Sequence, residues 1–260
     1  MSTQLDVLIT PADFEALKGR DLSEATCVVF DVLRATSSMV TALAAGARGI
    51  LPVEDIPQAL AARKRDPGLL LAGERHGLRI RAELTGGLEF DFGNSPREFT
   101  ADKVSGKRIA MTTTNGTRAI RACSGARETL IAAFLNLGAT EARLRSIRPH
   151  KLLLVCGGTY EEAAYEDVLC AGALASALWP LYASGRVSDS ALMARRLYEL
   201  ERSDLPAALA ASRNGRRLAA HPELHPDLPY CSQCNRFSLL AMVDGEGVVV
   251  PGDLVVGRRE

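Results

Sequence analysis

Acidic side chains follow several of the apolar, strand-like segments of this 260-residue chain. Asp31 lies within the segment CVVFDVL, Glu74 follows LLLAG, and the pair Glu166 and Asp167 comes shortly after KLLLVC. Carboxylate oxygens are the ligands that hard divalent cations prefer. We therefore expect Asp31, Glu74 and Asp167, with Glu166 beside them, to hold a metal ion.

A second group of residues is typical of sites that bind an oxyanion. The stretch MTTTNGTRAIRAC, residues 111–123, puts hydroxyls, an amide and a glycine between a strand and a helix. Helix starts expose unpaired N–H groups at the positive end of the helix dipole. The expected anion-binding residues are Arg34, Thr36, Ser37, Arg75, Asn94, Ser95, Thr113, Thr114, Asn115, Gly116 and Thr117.

Each of these turns, taken alone, is more often a helix cap than a binding site. Two observations favour function. A carboxylate such as Asp31 within an apolar strand needs a partner or a metal. The candidate turns also all follow predicted strands, and ligands of open α/β sheets bind beyond the carboxyl ends of the strands. Acids together with oxyanion donors indicate metal-assisted chemistry on a phosphate ester.

Other kinds of site find little support in the sequence. There is no G-x-x-x-x-G-K-[ST] or G-x-G-x-x-G motif, and the four histidines give little basis for a Ser-His-Asp triad. Cys231-x-x-Cys234 resembles half of a zinc site, but prolines interrupt the segment that carries His221 and His225. We expect these cysteines to be structural.

The composition is that of a globular protein with no charged partner. It is 47% hydrophobic and 24% charged, with 31 basic and 31 acidic residues. This balance suggests neither a nucleic-acid nor a membrane partner. We expect no signal peptide and no membrane span, and the six scattered cysteines favour a reducing cytoplasm. The oligomeric state stays open, a homo-oligomer included.

Strand-turn-helix units repeat from residue 27 to residue 179 and predict parallel strands with crossover helices. We expect a three-layer α/β/α fold with a mainly parallel sheet, in a single domain over residues 1–260. Two C-terminal helices are expected at about residues 188–202 and 204–219. A hairpin of residues 238–243 and 247–250 should follow them.

The motifs DVLRATSSMVTAL, AGERHG, FDFGNSP, MTTTNGTRA and EDVLCAG occur in this order between residues 31 and 172. In these motifs the chain resembles the 2-phosphosulfolactate phosphatase family, the ComB-like proteins. The segment LRIRAELTGGLE, between the second and third motifs, looks longer than the connection usual in the family.

The resemblance implies a ComB-like α/β/α fold and a Mg²⁺-dependent phosphatase that converts 2-phosphosulfolactate to sulfolactate in coenzyme M synthesis. Asp31, Arg34 and Asp167 are then the expected catalytic residues, and the attacking group is either metal-activated water or Asp31 itself. Two alternatives remain, a non-catalytic protein that binds a phosphorylated ligand and a metal-dependent lyase or transferase.

Overall fold

The structure, a computed structural model, describes residues 2–253. Its strands are β1 (Gln4–Leu8), β2 (Ala25–Phe30), β3 (Gly49–Pro52), β4 (Leu70–Arg75), β5 (Leu78–Arg79), β6 (Arg108–Thr112), β7 (Glu128–Ala132), β8 (Lys151–Cys156), β9 (Arg186–Val187), β10 (Leu240–Val243) and β11 (Val249–Gly252). Its helices are α1 (Pro11–Glu15), α2 (Ala35–Ala44), α3 (Ile56–Arg65), α4 (Ala82–Thr85), α5 (Ala101–Val104), α6 (Gly116–Ala122), α7 (Leu137–Ile147), α8 (Tyr165–Tyr182), α9 (Asp189–Glu201), α10 (Leu205–Ala211), α11 (Arg213–Ala219) and α12 (Asp227–Cys231).

All the strands of the described residues belong to one sheet, in the order β5-β4-β6-β3-β11-β10-β7-β2-β8-β1-β9. Two parallel groups, β4-β6-β3 and β7-β2-β8-β1, make up most of it. The hairpin β10-β11 lies between them and pairs antiparallel with β7 on one side and β3 on the other. The predicted mainly parallel α/β fold is confirmed, and the hairpin is a central part of its sheet.

Helices cover both faces of this sheet, as burial along β2 shows. Every residue of the segment ATCVVF is buried. Alternate side chains of a strand point to opposite faces, and here Val28 and Phe30 join one apolar core while Cys27 and Val29 join the other. The first core includes α8, and the second includes α2. The sheet is therefore the middle layer of three, as expected.

Local sequence signals explain several helix boundaries. Asp55 caps α3 by accepting a hydrogen bond from the backbone N–H of Gln58, and Pro57 lies in the first turn. The segment NSPREF forms only a single 3₁₀ turn, Pro96–Glu98, whose capping box uses Ser95 and Glu98. α9 agrees with the helix expected at about residues 188–202.

The helix expected over residues 204–219 is wrong as a single element. Ser212 ends α10 in an extended conformation, and its side chain caps α11 by accepting a hydrogen bond from the N–H of Gly215. A Cβ atom on Gly215 would lie 1.9 Å from the carbonyl oxygen of Leu209. The close approach of α10 and α11 therefore requires glycine at this position.

The hairpin prediction is confirmed, with its strands at β10 and β11. β1, which pairs in parallel with β8, is a strand that the sequence analysis did not predict. Among the described residues, we find no helix with the length and apolar character needed to cross a membrane. Residues 254–260 of the expected domain lie outside the described part of the chain.

Candidate active site

Four strand ends contribute residues to one pocket. Asp31 follows β2, Glu74 lies near the end of β4, residues 113–115 follow β6, and residues 158–160 follow β8. The remaining lining residues are Leu33, Arg34, Gly77, Asn94, Asn214, Arg217 and Leu218. The structure thus brings together candidate residues that lie far apart in the sequence.

Asp31 faces this pocket with one carboxylate oxygen free. Its backbone N–H donates to the hydroxyl of Thr36 at 3.0 Å, and its Oδ1 accepts from the N–H of Ala35 at 3.0 Å. Its Oδ2 accepts no hydrogen bond from any described residue. A Cβ on Gly116 would lie 2.6 Å from this oxygen, so only glycine lets the start of α6 pack so closely against Asp31.

Glu74 joins two loops of the pocket through both of its carboxylate oxygens. Its Oε1 accepts from the N–H and the hydroxyl of Thr114, at 3.0 and 2.8 Å. Its Oε2 accepts from the N–H of Gly77 at 2.7 Å. Glu74 therefore holds the β6–α6 turn against the end of β4, and its Oε2 keeps one further lone pair.

The first turn of α8 brings Glu166 and Asp167 behind the pocket, where both are buried. Asp167 accepts hydrogen bonds from the N–H groups of Val32, at 2.7 Å, and Gly158, at 3.0 Å. Glu166 Oε1 accepts from the side-chain amide of Asn214 at 2.6 Å, while its Oε2 has no partner among the described residues. Asp167 ties two loops together, and Glu166 keeps one oxygen free.

The neighbouring carboxylates disfavour one another's ionisation. Burial, with the charges of Glu74 and Glu166, raises the pKa of Asp31 to about 7. Burial, with the charges of Asp31 and Glu166, raises the pKa of Asp167 well above its usual range. Burial also raises the pKa of Glu166. The cluster therefore favours a bound proton or cation.

Oxygen atoms without hydrogen-bond partners concentrate at this pocket. Across residues 2–253, six buried side-chain polar atoms have no partner. Four of them belong to the site: Asn94 Oδ1, Thr113 Oγ1, Asn115 Oδ1 and Glu166 Oε2. Because buried polar atoms are normally hydrogen-bonded, these atoms are available to water or to a ligand.

The donor set fits a hard cation such as Mg²⁺, because every free atom in it is an oxygen. Within the described residues, no group of three His, Cys, Asp or Glu side chains is placed to hold a metal ion. Free carboxylate oxygens come from Asp31 and Glu166 alone, and the amide and hydroxyl oxygens complete the set. That Asp31, Glu74, Glu166 and Asp167 are the metal ligands stays a prediction.

Arg34 reaches the pocket with its charge already paired. Its Nη1 donates to Asp227 Oδ2 at 2.7 Å, and its Nη2 donates to the carbonyl of Gly77 at 2.6 Å. The other oxygen of Asp227 accepts from Ser95 and Arg97, at 2.7 and 2.8 Å. Asp227 is fully buried, so it fixes Arg34 and Ser95 rigidly.

Several expected anion-binding residues do not line the pocket. Thr36 and Ser37 are buried at the start of α2, and Ser37 donates to the carbonyl of Val32. Thr117 donates to the carbonyl of Thr113, in the turn before its helix. Arg75 lines a neighbouring pocket and donates to the hydroxyl of Thr112 at 3.1 Å. Their direct contact with a substrate stays a prediction that this geometry does not favour.

Two residues that line the pocket, Asn214 and Arg217, were missed from the sequence, and so was Asp227, which accepts a hydrogen bond from Arg34. Asn214 and Arg217 belong to an Ala/Arg-rich segment that shows no clear apolar face and looks like a solvated helix. Asp227 lies between Pro226 and Pro229 in what was expected to be a loop. No sequence signal distinguishes them from surface charges, because their position depends on how α11 and α12 pack.

The two C-terminal cysteines and the segment LRIRAELTGGLE do not line the pocket. Cys231 is buried at the end of α12, and Cys234 is exposed. Their structural role stays a prediction. The segment LRIRAELTGGLE forms β5, α4 and the following turn, and it contributes a wall to the neighbouring pocket through residues such as Leu78 and Leu84.

Comparison with known proteins points to a single family. A model of the family described as 2-phosphosulpholactate phosphatase matches residues 13–246. A protein of Pseudothermotoga lettingae is 39% identical over 215 residues, covering 82% of this chain and 87% of the relative. One of Thermotoga maritima is 37% identical over 221 residues, 85% of this chain and 90% of the relative. One of Synechococcus sp. (strain JA-3-3Ab) is 38% identical over 231 residues, which cover 86% of this chain and 91% of the relative. Each relative is described as a probable 2-phosphosulfolactate phosphatase.

Proposed function

Because the chain belongs to the 2-phosphosulpholactate phosphatase family, it is a phosphoric monoester hydrolase, and we propose that it hydrolyses 2-phosphosulfolactate to sulfolactate and phosphate with Mg²⁺ as cofactor. Family membership favours hydrolysis over the two alternatives that the sequence left open, a non-catalytic binding protein and a lyase or transferase. The proposed reaction belongs to coenzyme M synthesis in the cytoplasm. The six cysteines, all free thiols, fit a reducing compartment.

The observation that carries this proposal is the free Oδ2 of Asp31 in a pocket lined by unpartnered oxygens. Glu166 would hold Mg²⁺ through its free oxygen, and Asp31 Oδ1, Glu74 and Asp167 have lone pairs left to contribute. When bound, Mg²⁺ neutralises negative charge on the transferring phosphoryl group.

The protein's own groups supply the rest of the chemistry. Asp31 is the residue that acts at phosphorus. In one route Asp31 attacks through Oδ2, the P–O bond to sulfolactate breaks as a phospho-aspartate forms, and water then hydrolyses the phospho-aspartate to release phosphate. In the other route Oδ2 accepts the proton of a water that attacks phosphorus directly, and the P–O bond to sulfolactate breaks in the same step. Arg34 presents a fixed guanidinium to the phosphate oxygens, and Thr113 offers a hydroxyl with no other partner. Because Asp227 holds Arg34 in place, little reorganisation is needed when the substrate binds.

Product analysis tests the proposed function. Purified protein is incubated with 2-phosphosulfolactate and Mg²⁺, and free phosphate and sulfolactate are quantified separately. We expect the two products in equal amounts. Phosphate without sulfolactate would indicate a lyase, and sulfolactate without free phosphate would indicate a transferase. Binding of the substrate without any turnover would indicate a non-catalytic protein.

Acid quenching during turnover separates the two roles of Asp31. A substrate with a radiolabelled phosphoryl group should leave label on the denatured protein if Asp31 is the nucleophile. The label should disappear in Asp31→Asn. Turnover by the wild-type protein without any labelled intermediate favours direct attack by water.

A further inference from the structure

Arg217 lies over the pocket on α11, a helix that is pinned to the pocket wall. Asn214, on the same helix, donates to the hydroxyl of Thr159 and to Glu166 Oε1, both at 2.6 Å. Leu218, next to Arg217, is buried and also lines the pocket. These contacts hold α11 in place, so the position of Arg217 at the pocket is set by packing and does not depend on contacts of its own guanidinium.

The guanidinium of Arg217 is unpaired. It forms no hydrogen bond or ion pair with any residue that the structure describes, although the side chain is half-buried. By contrast, Arg34 is neutralised by Asp227 at 2.7 Å. Among the described residues that line the pocket, Arg217 is therefore the cation that no acidic side chain neutralises. Burying part of such a charge is costly unless a ligand pairs with it.

Arg217 lies beside the same turn that Arg34 contacts. A Cβ atom on Gly77 would lie 3.8–3.9 Å from the guanidinium atoms of Arg217. The carbonyl of Gly77 accepts from Arg34 Nη2 at 2.6 Å. Two guanidinium groups thus flank one backbone turn, one fixed by protein contacts and one free to meet a ligand.

The proposed substrate carries more negative charge than its phosphate. It has a carboxylate and a sulfonate, and the pocket already contains the carboxylates of Asp31 and Glu74. A guanidinium matches planar or tetrahedral oxyanions through paired N–H donors. We propose that Arg217 binds the second acid group of the substrate, which a simple phosphate ester lacks, and thereby selects phosphorylated acids. This inference rests on the proposed function.

Substrate comparison in Arg217→Met tests the proposal. The three substrates are 2-phosphosulfolactate, 2-phospholactate, which lacks the sulfonate, and phenyl phosphate, which lacks both acid groups. We expect kcat/KM for 2-phosphosulfolactate to fall about 10- to 100-fold, because a charge-assisted hydrogen bond is lost, with KM affected most. Turnover of phenyl phosphate should stay within about twofold of the wild-type value.

The pattern across the substrates identifies the acid group. A loss confined to 2-phosphosulfolactate assigns Arg217 to the sulfonate, and a similar loss with 2-phospholactate assigns it to the carboxylate. An equal loss with all three substrates would contradict the proposal, because Arg217 would then serve the phosphate or the fold. Unchanged kinetics with all three would also contradict it.

Arg216→Met is the matched control. Arg216 is the preceding residue of α11, is exposed, does not line the pocket, and donates to the carbonyl of Ala211. We expect its variant to keep wild-type kinetics with every substrate. Arg217→Lys keeps the charge but not the paired donors, so it should recover part of the loss.

Calorimetric titration with sulfolactate gives a readout that needs no turnover. Arg217→Met should raise the Kd about tenfold or more relative to the wild type and Arg216→Met. Equal Kd values for all three proteins would overturn the inference. If the wild-type protein binds sulfolactate in this way but releases no phosphate from 2-phosphosulfolactate, the proposed function fails while the role of Arg217 stands.

Discussion

The carboxylates of the site fall into two classes by how their oxygens are used. Glu74, Asp167 and Asp227 have both oxygens engaged by protein donors. Asp31 and Glu166 each keep one oxygen free. Substitutions in the first class should disturb the fold and the activity together. Substitutions in the second class should affect activity without a comparable loss of stability.

Asp31→Asn should lower kcat by a factor of about 100 or more, since it removes a proposed metal ligand and the negative charge proposed to act at phosphorus. The same variant should unfold at an equal or higher temperature than the metal-free wild type, because it lacks a buried charge repelled by its neighbours. Phosphate release and thermal unfolding measure the two effects. Unchanged turnover at saturating Mg²⁺ would remove Asp31 from the reaction.

Thr113→Val removes a buried hydroxyl that has no protein partner. If that hydroxyl binds phosphate, kcat/KM should fall about tenfold or more, while the free energy of unfolding stays the same or rises. Thr117→Val is the control, because its hydroxyl donates to the carbonyl of Thr113, in the turn before α6. Equal kinetic losses in the two variants would argue against a special role for Thr113.

At the scale of residues, strand ends were the informative signal. Asp31, Glu74, Asn94 and residues 113–115 were all named from the sequence, and all of them line the pocket. The hydroxyl of Thr36 accepts a hydrogen bond from the backbone instead of lining the pocket. Threonines of both kinds follow strands, so sequence alone does not distinguish a hydroxyl that bonds to the backbone from one that faces the pocket. Arg217 depends on tertiary packing and leaves no local signal.

At the scale of elements, the hairpin β10-β11 joins the two parallel groups of strands. Ala241, at the centre of β10, is fully buried and lies opposite Ile131 of β7 and Pro251 of β11. Asn136 also donates to the carbonyls of Ile131 and Leu239, which ties β7 to the start of the hairpin. The site therefore depends on a hairpin that contributes no residue to the pocket lining.

Ala241→Asp should destabilise the protein by about 3 kcal/mol or more, because it buries an unpaired charge in the middle of the sheet. Denaturant unfolding followed by circular dichroism measures the change. Gly245→Ala, at the tip of the hairpin with no atom within 4 Å of the added methyl group, is the control and should stay within about 0.5 kcal/mol. Wild-type stability of Ala241→Asp would mean that the hairpin is dispensable.

Periodicity predicted the βα units well, because continuous apolar strands followed by amphipathic segments leave few alternatives. It did not predict where the hairpin inserts, since strand order is decided by long-range pairing. Periodicity also predicted α10 and α11 as one helix, because the helical pattern continues across Ser212. The break is visible only in the structure, where Leu209 lies close to Gly215.

At the scale of the whole molecule, the acid cluster links stability to pH. Burial raises the pKa values of Asp31, Glu166 and Asp167, so the folded protein binds more protons there than the unfolded chain does. The protonated cluster therefore favours the folded state below the unfolded pKa values. This stabilisation is lost as pH rises from about 4 towards 7, the raised pKa of Asp31.

Thermal unfolding of the EDTA-treated protein between pH 5 and pH 8 should therefore show a Tm that falls as pH rises. Added Mg²⁺ should raise the Tm more at pH 8, where it competes with fewer protons, than at pH 5. In Asp31→Asn both effects should be smaller. A Tm that rises steadily with pH in the metal-free protein would contradict this description of the cluster.

We expect phosphate release to take place in this pocket and to depend on a divalent cation. The decisive measurement is the rate of phosphate release from 2-phosphosulfolactate by protein freed of metal with EDTA, before and after Mg²⁺ is restored. We expect almost no release without metal, full recovery with Mg²⁺, and no recovery in Asp31→Asn. Undiminished release by the metal-free protein, or Mg²⁺-restored release in Asp31→Asn at the wild-type rate, would contradict this expectation.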